Sequence, residues 1–262
     1  MLDSSLPRSP YISISIVSHL QYGLVEQLLG DIEKYCKEFP IEVMLTHNVQ
    51  EEITVSLRPF SFPVKTIYNP EPLGFAANHN QAFLQASGQF FCVLNPDIRL
   101  TCDPFHALIG CLQDAAVGVV APLVTDGAGG VEDNARRFPT PLKILCKVVG
   151  RCAGGDYEVT GEVLYPDWLG GMFMLFPHAI FSKLGGFDQR YFLYYEDVDL
   201  CARLTLQGYR AALCPDVKVV HLARRESHRR LKYLKWHLAS MLRFFCSKPF
   251  VKVCYLRLIG KL

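Results

Sequence analysis

Tyr11-Ile12-Ser13-Ile14-Ser15-Ile16-Val17-Ser18 is a β-rich apolar run, and Leu24, Leu28, Leu29 and Ile32 follow it at helical spacing. A strand that passes directly into a helix opens an α/β pattern, and the chain keeps to it. Ile41 to Thr46 and Val64 to Tyr68 read as the next two strands, and Asn78 to Ala86 as a helix. Gln89 to Leu94 is a fourth strand, with Asn95-Pro96-Asp97 at its end; Phe105 to Cys111 reads as helix and Val117 to Val124 as strand. Such alternation predicts right-handed βαβ crossovers and a mostly parallel, nucleotide-binding-type sheet flanked by helices. Ligands are expected beyond the C-terminal strand ends, where Ser18-His19, Thr46-His47-Asn48 and Asn95-Pro96-Asp97 would converge on one crevice. No G-x-G-x-x-G follows the first strand and no G-x-x-x-x-G-K-[ST] occurs, so dinucleotide-dehydrogenase and P-loop readings lose their main support.

A chain of 262 residues fits one sizeable domain, or one domain with a short appendage. With half of its residues hydrophobic it can fill a large core, which argues against global disorder. A net charge of +2 gives no case for a nucleic-acid partner. Ten cysteines are scattered without a CxxC pair, so neither a zinc ribbon nor a thioredoxin-type site is suggested. Cys92 and Cys214 lie inside apolar runs and read as small buried hydrophobes, which fits a reducing cytosolic compartment. Met1 to Pro10 lacks the basic and apolar segments of a secretory signal, and no apolar run reaches the length of a membrane span.

Asp126 to Pro166 is rich in Gly, Pro and charge and reads as loop; Arg136-Arg137 within it suits a phosphate or, slightly better, open solvent. Asp167 to Phe176 is apolar around Gly170-Gly171, and a short helix is expected to run to Leu184. The acidic stretch follows. Asp188, Glu196, Asp197 and Asp199 lie within twelve residues, between Gly185-Gly186 and a helical run that Gly208 stops. Glu196 and Asp197 fall at the helix start, where free N–H groups favour an ionised carboxylate. Asp197 then reads either as a general base or as a capping acid. Ala211 to Leu213 and Val217 to Val220 are expected as two strands, the second ending at His221. From His228 the apolar positions Leu231, Leu234, Leu238, Met241, Leu242 and Phe245 form an amphipathic helix with Lys and Arg opposite. It suits packing on the domain or peripheral attachment to an anionic membrane, helped by Lys248, Lys252, Arg257 and Lys261. The division expected is a catalytic domain over 11–225 and a basic, amphipathic helical extension over 226–262.

Three blocks in consistent order resemble family 2 glycosyltransferases, the inverting, nucleotide-sugar-dependent enzymes of the GT-A fold, and among them the bacterial rhamnosyltransferase-like members that build surface polysaccharide. Asn69-Pro70-Glu71-Pro72-Leu73-Gly74-Phe75-Ala76-Ala77-Asn78-His79-Asn80 is similar to the family's N-x-G-F-a-x-x-N-N loop. Leu94-Asn95-Pro96-Asp97 is similar to its variant of the D-x-D metal motif. Gly186-Phe187-Asp188 through Glu196-Asp197-Val198-Asp199-Leu200, then Pro215-Asp216-Val217 to His221, resembles its GGFDE…ED-x-D-L…P…H block. Thr46-His47-Asn48 stands where many relatives carry V-D-N, which leaves the choice between UDP- and dTDP-linked donors open.

The resemblance implies the following roles. Asp197 is the catalytic base, and Asp97 with His221 holds a divalent cation, Mg²⁺ or Mn²⁺. Ser18, His19, Asn48, Gly74, Asn78, Asn95 and Asp97 form the donor side. Trp168, Gly170, Gly171, Asp188 and Glu196 form the sugar and acceptor pocket, with Asp199 pairing to Arg203 at i,i+4. The implied activity is inverting transfer of a sugar, with rhamnose the candidate, to a glycan or lipid-linked acceptor at the cytoplasmic face of the inner membrane. Its rivals are hydrolysis of the donor and a non-catalytic, nucleotide-binding or scaffolding relative. Glycosidases need a paired acid and nucleophile or base, whereas this pattern centres on a metal-side acid and a single base.

Overall fold

The computed structural model describes residues 11–50, 59–148, 155–222 and 231–262. β1 (Ile12–Ser18) is covered on both faces, as a central parallel strand must be. Ile12, Ile14 and Ile16 enter one apolar core together with Leu28, Leu29 and Ile32 of α1 (Tyr22–Tyr35). Ser13 and Ser15 alternate to the other face, as a period of two requires. Their hydroxyls do not go unpaired there: Ser13 Oγ donates to Glu42 at 2.7 Å, and Ser15 Oγ lies 2.8 Å from His79 Nδ1. β2 (Ile41–His47) runs parallel to β1 with Ser18 beside His47, and β3 (Val64–Tyr68) runs parallel to β2. α2 (Phe75–Phe83) returns the chain to β4 (Phe90–Leu94), which lies parallel on the other side of β1. The strand ends carrying Ser18, His47 and Leu94 therefore open on one edge of the sheet, across the point where strand order reverses.

The short β5 (Ile98–Leu100), α3 (Phe105–Cys111) and β6 (Val117–Thr125) come next. β7 (Ala135–Arg136) pairs with β8 (Trp168–Leu169) in a separate two-stranded sheet, and α4 (Pro141–Val148) lies between them in sequence. β9 (Phe173–Pro177) runs antiparallel to both β4 and β6. α5 (His178–Leu184), α6 (Glu196–Leu206), β10 (Arg210–His221), α7 (Leu231–Phe245) and α8 (Lys248–Leu258) complete the fold. The main sheet reads β3-β2-β1-β4-β9-β6-β10-β5. Its second face is covered by Phe181 and Leu184 of α5, Leu200 and Leu204 of α6, Phe244 of α7 and Val253 of α8. Each such fully buried large side chain contributes roughly 1.5–3 kcal/mol.

Most expected elements of the first half appear within a few residues of their expected bounds. Four differences stand out. The two late strands are one, β10, whose pairing with β6 slips between Cys214 and Lys218 around Pro215-Asp216. The segment read as loop contains α4, β7 and the first residues of the site. The C-terminal extension is two helices, broken at Ser247, whose hydroxyl accepts the N–H of Phe250. α7 also packs differently than its apolar stripe suggests: Ser240 and Phe244 are buried, whereas Leu231, Leu234, Leu238 and Leu242 face outward. The expected start of that helix at His228, the 225/226 boundary and the Met1–Pro10 reading lie outside the described residues.

Candidate active site

α6 presents the acids. Its first residue is Glu196, and the cap before it is Tyr195, so Asp197 is not the capping residue. Tyr194 and Tyr195 both hold left-handed backbone, with φ of 69° and 68°. Two consecutive aromatic residues in that region cost on the order of 1–3 kcal/mol each, so the surroundings must hold them there. The Asp197 carboxylate, half-buried, accepts the N–H of Val198 at 2.8 Å and that of Gly171 at 3.0 Å. Burial pushes its pKa up to about 6, against the pull of those N–H groups and of Arg136. The helix start therefore does not dominate, although the group is still ionised at neutral pH. Glu196 is buried with Oε2 unpartnered, and burial plus the adjacent Asp197 charge raises it well above the carboxylate range. Asp199 pairs with Arg203 at 2.7 Å as spacing implied.

Gly171 is the neighbour that makes this arrangement possible. A β-carbon there would lie 3.1 Å from the Phe75 ring and 3.7 Å from Asp197 Oδ2. The next residue, Met172, accepts the N–H of Asn95 at 2.9 Å. One short segment thus touches Asp197 on one side and the turn of Asp97 on the other. Gly170 continues it, donating to the Asn134 carbonyl at 2.8 Å.

At the far side, His221 ends β10 next to Ile98 of β5, which places its imidazole beside Asp97. Nε2 lies 3.3 Å from Asp97 Oδ2 and Nδ1 2.7 Å from Glu132 Oε2. Burial alone would lower the imidazole, but the Asp97 and Glu132 carboxylates outweigh it and lift it to about 9. Asp97 Oδ1 is buried without a partner. An orphaned carboxylate oxygen beside a histidine nitrogen fits a divalent cation that takes its remaining ligands from phosphate and water. Among the described residues no group of three or more protein ligands is gathered. Glu132 went unnoticed in the sequence because it sits in a Gly-rich turn with no strand-end pattern. It holds the far ring nitrogen of His221, as an outer carboxylate would if that histidine bound a metal.

The other expected residues divide clearly. Ser18 is buried and accepts the N–H of Gln21, and His19 is exposed within 3.3 Å of Asn48. Asn48 is occupied with the protein: its Oδ1 accepts from Leu73 and Asn69, and its Nδ2 donates to the Leu73 carbonyl. Asn78 likewise donates to the carbonyls of Leu73 and Gly74. These two asparagines shape the loop that ends at Gly74. A β-carbon on Gly74 would lie 2.4 Å from the Phe192 carbonyl oxygen, so this loop and the acidic loop press together. Asn95 forms the turn that presents Asp97. Asp188 is held by Arg190 at 2.6 Å; burial pushes its carboxyl up, and the arginine outweighs that and leaves it low. Trp168 donates to the Arg137 carbonyl, and Arg136 lies over its ring at 5.6 Å while pairing with Asp133 at 3.0 Å. Arg136 thus lies beside Trp168 while keeping more than a third of its side chain exposed to solvent.

No family model matches the chain. It is 30% identical over 189 residues to the rhamnosyltransferase WbbL of Escherichia coli K12, covering 67% of this chain and 71% of that protein. It is 28% identical over 220 residues to the N-acetylglucosaminyl-diphospho-decaprenol L-rhamnosyltransferase of Mycobacterium tuberculosis, covering 70% and 67%. Among solved structures, GalNAc-T7 with UDP, GalNAc and Mn²⁺ superimposes with a TM-score of 0.66 at 15% identity, over 84% of this chain and 45% of that one. The mannosyltransferase PcManGT of Pyrobaculum calidifontis, with GDP-Man and Mn²⁺, gives 0.61 at 20% identity, over 90% and 65%. At such identities the likeness is one of fold.

Proposed function

The chain belongs to the rhamnosyltransferase-like family 2 glycosyltransferases, with the GT-A fold, and from that premise we propose that it transfers a sugar, with inversion, from a nucleoside diphosphate to a hydroxyl of a lipid-linked or polysaccharide acceptor. The observation that carries the reading is the Gly171–Met172 segment, bonded to Asp197 at one end and to the Asp97 turn at the other. It supports the reading by joining the proposed base and the proposed cation ligand through one short segment.

In this reading the acceptor oxygen attacks the anomeric carbon on the face opposite the diphosphate. Its proton passes to Asp197 as the new C–O bond forms and the bond to the diphosphate breaks. A carboxylate with a pKa of about 6 suits that task, being ionised near pH 7 yet still basic enough to hold a proton. The N–H of Gly171 aims one of its oxygens, and Gly170, Gly171 and Trp168 supply the floor for the sugar. Asp188 and Glu196 line the acceptor side, Glu196 in its neutral form. Asp97 and His221 would hold Mg²⁺ or Mn²⁺, which when bound neutralises charge developing on the leaving diphosphate. His19 and Asn95 line the donor side directly, while Ser18, Asn48, Asn78 and Gly74 act by shaping its loops.

The donor sugar proposed is rhamnose from a dTDP- or UDP-linked form, by likeness to the two rhamnosyltransferases. The mycobacterial relative is named for an N-acetylglucosaminyl-diphospho-decaprenol substrate, which supports a lipid-linked acceptor and peripheral work at the cytoplasmic face of the inner membrane. No helix among the described residues is long and apolar enough to cross a membrane. We assign transfer to 11–225 and attachment to 226–262. A screen of nucleotide sugars with Mg²⁺ or Mn²⁺, run on wild type and Asp97→Ala, tests the reading. Metal-dependent turnover of one donor, lost in the variant, is expected; equal nucleotide affinity with and without metal in both proteins would overturn the cation site.

A further inference from the structure

α7 has two faces with different business. Inward, Ser240 Oγ donates to the Leu193 carbonyl at 2.9 Å. Trp236 packs at a tilt against Phe192, ring centres 4.7 Å apart, and His237 packs against the Tyr194 and Tyr195 rings at 5.3 and 5.4 Å. Phe244 adds a further contact to Tyr195 at 5.7 Å. The helix therefore grips the left-handed pair that leads into Glu196 and Asp197. Through the same loop it reaches the donor side, because Phe75 donates its N–H to the Phe192 carbonyl at 3.0 Å.

Outward, Leu231, Leu234, Leu238 and Leu242 recur every three or four residues and are 84%, 54%, 45% and 61% exposed. α8 repeats the device: Val251, Tyr255 and Leu258 are exposed along it while Val253 packs inward. So many large apolar side chains exposed along two successive helices are unusual on a protein that meets only water. Between Leu231 and Leu262 the chain carries seven Lys and Arg and no Asp or Glu. Arg257 turns back to Asp167 at 2.6 Å; apolar stripes flanked by the remaining positive charge match an anionic lipid surface, which takes the leucines into its acyl boundary and the cations into its headgroups. A protein partner would need matching acids as well as an apolar patch, whereas an anionic bilayer offers both at once.

We propose that the outer face of the α7–α8 hairpin lies on an anionic bilayer, and that α7, fixed there, clamps the Phe192–Tyr195 loop so that Asp197 is presented to an acceptor arriving from the lipid. The inference deepens the proposed function and rests on it for the role of Asp197. Its physical content is an order–disorder coupling. A loop with two strained residues opens easily when its support moves, and anchoring the support raises the cost of opening.

The test needs no turnover, so its outcome is independent of whether transfer is observed. The full chain is mixed with vesicles of phosphatidylcholine alone or with phosphatidylglycerol, and binding and amide hydrogen exchange are read together. Binding at least roughly tenfold stronger to the anionic vesicles is expected, with exchange across 192–198 slowed about fivefold in the bound state. Leu234→Glu/Leu238→Glu, both on the open face, is expected to unfold at the wild-type temperature but to lose binding and the protection together. Lys232→Glu/Lys235→Glu is expected to weaken binding in the same direction. Indifference to phosphatidylglycerol, binding without slower exchange at 192–198, or self-association through this face in place of vesicle binding would each overturn the proposal.

Discussion

Glu42 and Asp197 are both carboxylates drawn out of water, and the protein treats them in opposite ways. Glu42, on β2, is 1% exposed and accepts from Ser13 Oγ, from Ser87 through both N and Oγ, and from Lys65 Nζ. Burial pushes it up, but these donors more than compensate, and its pKa lies below the ordinary value. Asp197 has two backbone N–H donors and a buried, unsatisfied Glu196 next to it, and its pKa lies well above the ordinary value. The difference separates a carboxylate satisfied by its donors from one whose pKa leaves it basic enough for the proposed proton transfer. A buried acid with every lone pair occupied has no basicity to offer; one left short of donors costs stability and keeps it.

The comparison is broken most severely through the proposed base. Asp197→Asn should lower the transfer rate by about 10³-fold while leaving nucleotide affinity within about threefold, read by turnover and titration calorimetry. Nearly wild-type transfer would return Asp197 to a structural role. Next in size, Glu42→Ala strands Lys65 and three other donors and should cost about 3 kcal/mol, seen as a lower Tm with unchanged turnover per folded molecule. Because the folded pKa of Glu42 is depressed, its contribution is present above the unfolded value and lost as pH falls through the folded one. The gap between wild type and Glu42→Gln should therefore close in acid. Glu132→Gln should weaken Mn²⁺ binding by about tenfold or more, measured by titration of the metal in the presence of nucleoside diphosphate, since His221 would lose the carboxylate that orients it. Smallest is a gain: Asp197→Asn should raise stability at pH 7 by about 1–2 kcal/mol. Here the folded pKa is raised, so the penalty develops as pH climbs from the unfolded value to about 6 and stays constant above it. The Tm difference between variant and wild type should therefore shrink as pH falls from about 6 towards 4 and be lost below that.

The same contrast explains what the sequence made legible. Glu42 belongs to a strand whose position follows from apolar periodicity, and the order of β1, α1, β2, β3, α2 and β4 is readable from that periodicity alone. Asp197 was readable as a site residue because its motif resembles a family's. Its physical state was not, since burial depends on Gly171 and Phe75, which arrive from remote segments. Glu132 and Arg136 lie in a stretch of glycines and charge that carries no periodic signal. β5 is only three residues long, and Pro215 divides β10 in the sequence although the strand continues after a slip. Nor does anything in Tyr194-Tyr195 announce left-handed backbone, which aromatic residues ordinarily avoid. The C-terminal leucines were visible as a stripe, but an apolar stripe by itself does not say whether it faces a core or a membrane.

The central claim is that Asp197 takes the acceptor's proton with a pKa raised by burial. The dependence of the maximal transfer rate on pH, measured between about 4.5 and 8 with saturating donor, acceptor and Mn²⁺, tests it most directly. Activity is predicted to rise through an ionisation near 6 and to level off above it, with that limb absent from the residual activity of Asp197→Asn. A rate flat across this range, or the same limb persisting in the variant, would contradict the account.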